Sequence, residues 1–241
     1  VAPETGKVER INPLPFADKH QFYNDTFNDN FDAKLLAPDW VFRRVPQANT
    51  FSLNANKGHL RLYLKPEAFQ PRKRYSAMGI TQKESEFEWE AKMKFKPKKN
   101  LEEAGISIYQ KDINFVNLTV QKIGREHFVK VTVKGKNNQV TAMTDSAKIP
   151  NTEVKAFKSK ALPNYAGEIL LKIASKNGKY LYFFSIDGGT TYEKLAETPD
   201  NIVLGMMYTG ANVGIYATSN GQKTTGYVDF DWVSYKGFVK Y

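Results

Sequence analysis

The sequence predicts an all-β protein, and three observations carry the prediction. Apolar and polar residues alternate along most of the chain, turn signals separate the alternating runs, and no segment longer than about two turns shows helical periodicity. A strand sends successive side chains to opposite faces, so such alternation gives each strand one dry face and one wet face. Strand-like runs at a spacing of roughly 8–12 residues are the pattern of a sandwich or a barrel.

Residues 1–22 carry Pro3, Pro13 and Pro15 without sustained alternation and are expected to form an arm or linker. Residues 23–241 are expected to form one β domain. Its alternating runs are HLRLYLK (59–65), ESEFEWEAKMKFK (84–96), GISIYQ (105–110), NFVNLTVQK (114–122), HFVKVTVKG (127–135), EILLKIAS (168–175), YLYFFSID (180–187), NVGIYAT (212–218) and YVDFDWVSY (227–235). The intervening KGKNN, SKNGK, DGG and TSNGQ are turn chemistry; Asp187-Gly188-Gly189 is a tight hairpin signal because glycine accepts φ > 0. Residues 144–160, TDSAKIPNTEVKAFKSK, are weakly periodic and read as a long connection or a sheet edge.

The run from Glu84 poses the functional question. Glu84, Glu86, Glu88 and Glu90 share one face with Lys92, Lys94 and Lys96, while Ser85, Phe87, Trp89, Ala91, Met93 and Phe95 share the other. Carboxylates two residues apart on a strand sit ~6.5–7 Å from each other, close to the separation glycosidase pairs use. The apolar stripe favours a different reading. Burial of each large side chain contributes ~1.5–3 kcal/mol, which fixes the register and turns the glutamates outward as a solvated face. Glu86, Glu88 and Glu90 as a catalytic row are the alternative.

Composition narrows the rest. With no cysteine, disulfides, thiolate chemistry and cysteine zinc sites are excluded. His20, His59 and His127 lack metalloprotease spacing, and no phosphate-cradling glycine loop or G-x-S-x-G elbow occurs. No apolar run approaches the ~18 residues of a membrane span, and VAPETGKVERINPLPF has no signal-peptide pattern. The net charge of +10 is spread along the chain, densest at PRKRY (71–75) and KFKPKK (94–99). It reads as a solvated basic surface without nucleic-acid binding, with a module for an acidic polymer as an alternative.

Several motifs in order carry a family resemblance: FNDNFDAKLLAPDWVFRR (27–44), GHLRLYL (58–64), EFEWEAKMKFKP (86–97), EAGISIYQKDINFVNLTV (103–120), YFFSIDGGTTYEKL (182–195), ANVGIYATSNG (211–221) and DFDWVSY (229–235). Together they resemble the concanavalin A-like C-terminal β-sandwich of glycoside hydrolase family 43 β-xylosidases and arabinofuranosidases, over about residues 23–236. The resemblance implies a jelly-roll of two antiparallel sheets. In that family the catalytic carboxylates belong to a five-bladed propeller, whose pattern is absent from these 241 residues. It therefore implies a non-catalytic accessory domain of plant-polysaccharide degradation, which supports a glycosidase catalytic domain or binds xylan or arabinoxylan.

It further implies a place of work that is secreted, periplasmic or at the cell surface. Candidate carbohydrate contacts are Tyr109, Gln110, Asp112, Asn114 and Tyr208. Related sandwiches imply a structural calcium, matched here by Asp29, the carbonyl of Gly58 and Asp231, and no other cofactor. Trp40 and Trp232, with apolar neighbours, are expected in the core rather than as sugar platforms.

Overall fold

The computed structural model describes residues 25–70, 72–135, 155–204 and 209–238, so the expected arm at 1–22 lies outside the described residues. The strands in chain order are β1 (Thr26–Asp29), β2 (Phe51–Ser52), β3 (Leu60–Tyr63), β4 (Ser76–Thr81), β5 (Glu86–Lys94), β6 (Glu103–Lys111), β7 (Asn114–Ile123), β8 (Glu126–Lys134), β9 (Lys155–Ala161), β10 (Glu168–Lys176), β11 (Lys179–Ser185), β12 (Glu193–Pro199), β13 (Asn212–Thr218) and β14 (Tyr227–Phe238). Among the described residues a single 3-10 turn, Asp200–Ile202, interrupts them.

They build two antiparallel sheets. One runs β12-β11-β10-β5-β14-β3-β2, with β1 pairing the later half of β14 along the edge whose earlier half β3 occupies. The other runs β4-β13-β6-β7-β8-β9. Every alternating run of the sequence is a strand, and β9 takes the edge position open to residues 144–160, of which 144–154 lie outside the described residues. The strands β1, β2, β4 and β12 carry no clear alternation; each is short, glycine-containing or at a sheet margin.

The core lies between the sheets. Phe87, Trp89, Ala91 and Met93 of β5 point inward, fully buried, toward Ile106, Ile108, Val116, Leu118 and Val131 of the second sheet. The Trp89 indole donates to the Gly214 carbonyl at 3.0 Å, tying β5 to β13 across the seam. Close approach sets one sequence choice. A Cβ on Gly105 would lie 2.1 Å from the Leu118 carbonyl oxygen, so only glycine lets β6 meet β7 there.

Two expectations need correction. Trp232 is half-buried on the outer face, because a bulge between Phe230 and Trp232 shifts the pairing of β14 with β5 and reverses the inward–outward alternation. Trp40 is in the core as expected. The outer face of the second sheet is also not uniformly wet: Glu103, Thr119, Gln121 and Lys130 are buried there and interlocked, with Lys130 Nζ 3.0 Å from Glu103 Oε2 and 2.8 Å from Gln121 Oε1.

Candidate functional site

On the outer face of β5 the glutamates meet cross-strand partners. Glu90 lies opposite Lys172 of β10, and Glu88 opposite Lys236 of β14. The Lys172 ammonium is 3.9 Å from Glu90 Oε2 and 4.1 Å from the centre of the Tyr192 ring, and the Tyr192 hydroxyl donates to Glu90. Glu86 accepts the backbone N–H of Asn177 at 2.9 Å. Glu84 stands before the strand, where it accepts from the Tyr235 hydroxyl at 2.5 Å. Burial holds the Glu90 carboxyl above its usual range, with Lys172 opposing and Glu88 adding to the rise. A raised carboxyl suits a general acid, yet these side chains share one strand face and line neither of the two larger cavities. They are half-buried rather than fully solvated, and Glu84, Glu86 and Glu90 have hydrogen-bond or ion-pair partners.

The expected sugar contacts divide. Tyr109 and Asp112 come together at the β6–β7 turn, where the Tyr109 hydroxyl donates to Asp112 Oδ1 at 2.7 Å. Tyr75 places its hydroxyl 2.9 Å from that of Tyr109, and Arg44 Nη2 lies 3.3 Å from Asp112 Oδ2. Phe69 caps the group, with its ring centre 4.7, 4.8, 4.9 and 4.4 Å from Tyr75, Tyr109, Phe115 and Tyr216. Burial raises the Tyr75 phenol to about 12 and drives Tyr109 upward as well. Beside Tyr109 a 170 Å³ pocket opens over Gly79, Ser107 and Gly214, walled by Phe42, Tyr75 and Asn212.

Gln110 and Asn114 do not join this pocket. Gln110 donates to the Thr209 carbonyl at 3.0 Å, and Asn114 reaches the Ile202 carbonyl at 3.5 Å, both buried. Tyr208 lies outside the described residues. Sequence reasoning missed Phe69, Tyr75, Phe42 and Arg44. The one available signal was the pair of aromatics bracketing the basic loop AFQPRKRY (68–75).

The three residues matched to calcium present a poor cradle. Asp29 Oδ1 accepts the Phe31 N–H at 2.9 Å and Oδ2 accepts the Trp40 indole at 2.8 Å. Asp231 lies 3.1 Å from the Lys92 ammonium and 3.9 Å from His59. Gly58 turns at φ +72°, next to Asp32 rather than Asp29. Calcium takes 6–8 oxygen ligands, whereas these carboxylates already face N–H donors and a cation. The residues do not fit the ion at this position, and among the described residues no cluster of three or more metal-ligating acidic, histidine or cysteine side chains occurs.

The family is decided by comparison. The model of the β-xylosidase C-terminal concanavalin A-like domain of glycoside hydrolase family 43 matches residues 28–236. The chain belongs to this family. It is similar to a non-reducing-end α-L-arabinofuranosidase of Bacteroides ovatus, 29% identical over 97% of this chain and 42% of that protein. It is also similar to a xylosidase/arabinosidase of Butyrivibrio fibrisolvens, 29% identical over 84% of this chain and 36% of that one. Among solved structures, the Bacteroides ovatus protein xyloglucan PUL GH43B superposes with a TM-score of 0.77 at 25% identity, covering 93% of this chain and 42% of that one. A xylan β-1,4-xylosidase of Bacillus halodurans shares the fold, with a TM-score of 0.76 at 20% identity over 92% and 41%. The family 43 sandwich thus spans about two-fifths of the length of the relatives it matches.

Proposed function

We propose that this family 43 sandwich is a non-catalytic accessory domain, which supports a family 43 catalytic domain acting on plant-wall xylan or arabinoxylan outside the cytoplasm. The observation that carries the reading is the pairing of its acidic row. Glu90 is ion-paired with Lys172 and Glu88 stands in register with Lys236, and the row lines neither of the two larger cavities, whereas glycoside hydrolysis needs two carboxyl groups flanking the bond of a bound sugar. A direct part in holding sugar falls to the pocket beside Tyr109, whose walls combine aromatic rings with Ser107 and Asn212. Gln110 and Asn114, committed to backbone carbonyls outside this pocket, act as braces of the sheet.

The chain alone, assayed on aryl β-xylosides and aryl α-L-arabinofuranosides, is expected to release no product. Fused to a family 43 catalytic domain, it is expected to raise that domain's thermal midpoint and its kcat/KM on xylo-oligosaccharides. Product from the isolated chain that disappears on replacing Glu86, Glu88 or Glu90 with Gln would establish a glycosidase instead.

A further inference from the structure

The basic run KFKPKK (94–99) does not lie on an open face. It follows one wall of a 470 Å³ cleft between the end of β5, residues 166–168 and residues 224–229, with Tyr227 on its lining. The cleft also holds Glu102, Glu168 and Asp229, yet each of these acids is already committed. Glu102 Oε2 accepts the backbone N–H groups of Lys98 and Lys99 at 2.7 and 3.0 Å, and its other oxygen accepts from the Thr224 hydroxyl. Glu168 lies 3.2 Å from the Lys92 ammonium. Asp229 holds Arg61 bidentately at 2.7 and 2.8 Å and accepts from Asn56 at 3.0 Å.

The cations are not matched in the same way. Lys99 Nζ donates to the Lys223 carbonyl at 2.7 Å, and Lys94 Nζ lies 3.3 Å from His59 Nε2. Among the described residues the ammonium groups of Lys96 and Lys98 have no ion-pair partner. Lys96 is nevertheless positioned. Its stem crosses Gly167, where an added Cβ would lie 2.4 Å from Lys96 Cγ, and the Phe95 N–H bonds the Gly167 carbonyl at 2.7 Å. The cleft therefore presents four lysines against three acids, and the ammonium groups of Lys96 and Lys98 stand in no ion pair among the described residues.

Tyr227 adds an apolar surface. The residue is 42% exposed, and the Arg61 guanidinium sits 3.6 Å from the ring centre. Because Asp229 pins Arg61, the ring is fixed from one side and the remainder is left to the cleft. A fixed aromatic beside unpaired ammonium groups suits a ring-shaped ligand with a carboxylate: C–H groups pack on the aromatic and the anion meets the cations. A long polyanion would instead need a continuous stripe of cations, whereas Arg61, Lys92, Lys160, Lys172 and Lys179 outside the run are each paired with acids.

We propose that this cleft binds a saccharide bearing a uronic acid, with a sugar ring against Tyr227 and the carboxylate between Lys96 and Lys98. The inference rests on the reading that the domain works on plant-wall carbohydrate, but it concerns a different place from the pocket beside Tyr109.

Calorimetry on the 241-residue chain tests it with four probes: a xylo-oligosaccharide carrying one glucuronic acid branch, its unsubstituted counterpart, free glucuronate and dextran sulfate. The acidic xylo-oligosaccharide is expected to bind roughly tenfold or more tighter than the neutral one. The double change Lys96→Gln, Lys98→Gln should abolish that preference without altering the thermal midpoint, since both side chains are exposed. Tyr227→Ala should weaken the acidic oligosaccharide and free glucuronate together. Equal affinity for the acidic and neutral oligosaccharides, or a preference that survives the lysine changes, overturns the proposal. Tighter binding of dextran sulfate, a polyanion without a uronic acid, lost at moderate salt, overturns it in favour of unspecific charge. Uronate binding without any effect on a fused catalytic domain would leave this site standing and remove the accessory reading; the reverse result would do the opposite.

Discussion

Glu90 shows how one side chain's role depends on what stands opposite. Its carboxyl is pushed up chiefly by burial, so its charged form costs the folded state more than the unfolded one. The sign follows from linkage. Any stabilisation from the raised value is fully present below the unfolded pKa of ~4.3 and is lost as pH rises through the folded value. Glu90→Gln keeps an acceptor for the Tyr192 hydroxyl and removes the buried charge. It is expected to stabilise the protein at pH 7 and to have no such effect at pH 4, measured by urea unfolding at both. A destabilised variant at pH 7 would mean that the Lys172 pair outweighs desolvation. The carboxylate row and its apolar counterpart were readable at this scale, since both follow from strand alternation. The half-burial of the row was not, because Lys172 and Lys236 are distant in sequence and reach it only through sheet pairing.

At the scale of elements, strand existence was written in local pattern and strand parity was not always. The run YVDFDWVSY is β14, and simple alternation would place Trp232 on the side of Val228 and Phe230. The bulge before Trp232 adds one residue to the β14 side of its pairing with β5 and sends the indole outward. A comparable constraint acts through glycine at the β6–β7 contact. Gly→Ala at a permissive strand position usually stabilises, by about 0.4–1 kcal/mol through the unfolded chain. At Gly105 the added methyl meets the Leu118 carbonyl at 2.1 Å and the Thr119 Cα at 2.7 Å. Gly105→Ala is therefore expected to destabilise by about 1–3 kcal/mol, the usual cost of overpacking. Thermal unfolding monitored by circular dichroism would show this as a lowered midpoint; an unchanged or raised one would mean that β6 and β7 separate freely.

At the scale of the molecule, the resemblance to family 43 sandwiches carried the fold but transferred poorly to one proposed site. Asp29 and Asp231 spend their oxygens on the Trp40 indole, a backbone N–H and the Lys92 ammonium. A chelator is accordingly expected to leave the thermal midpoint unchanged to within ~1 °C. A tightly bound ion would add several kcal/mol by mass action, and each kcal/mol moves the midpoint by ~2–4 °C at this size. A clear drop with chelator, reversed by calcium, would restore the ion. The sequence by itself determined that the chain is all-β, which residues of β5 are dry, and where the main hairpins turn. All of these follow from alternation and turn chemistry within a few consecutive residues. Only the tertiary structure decided that Tyr75, Tyr109, Asp112 and Arg44 form one network, and that residues 94–99, 167 and 227 close around one cleft. Such groupings depend on the order in which strands pair and sheets stack. Long loops can bring distant segments together at little extra entropic cost for each added residue, so nothing in the local pattern marks which segments will meet.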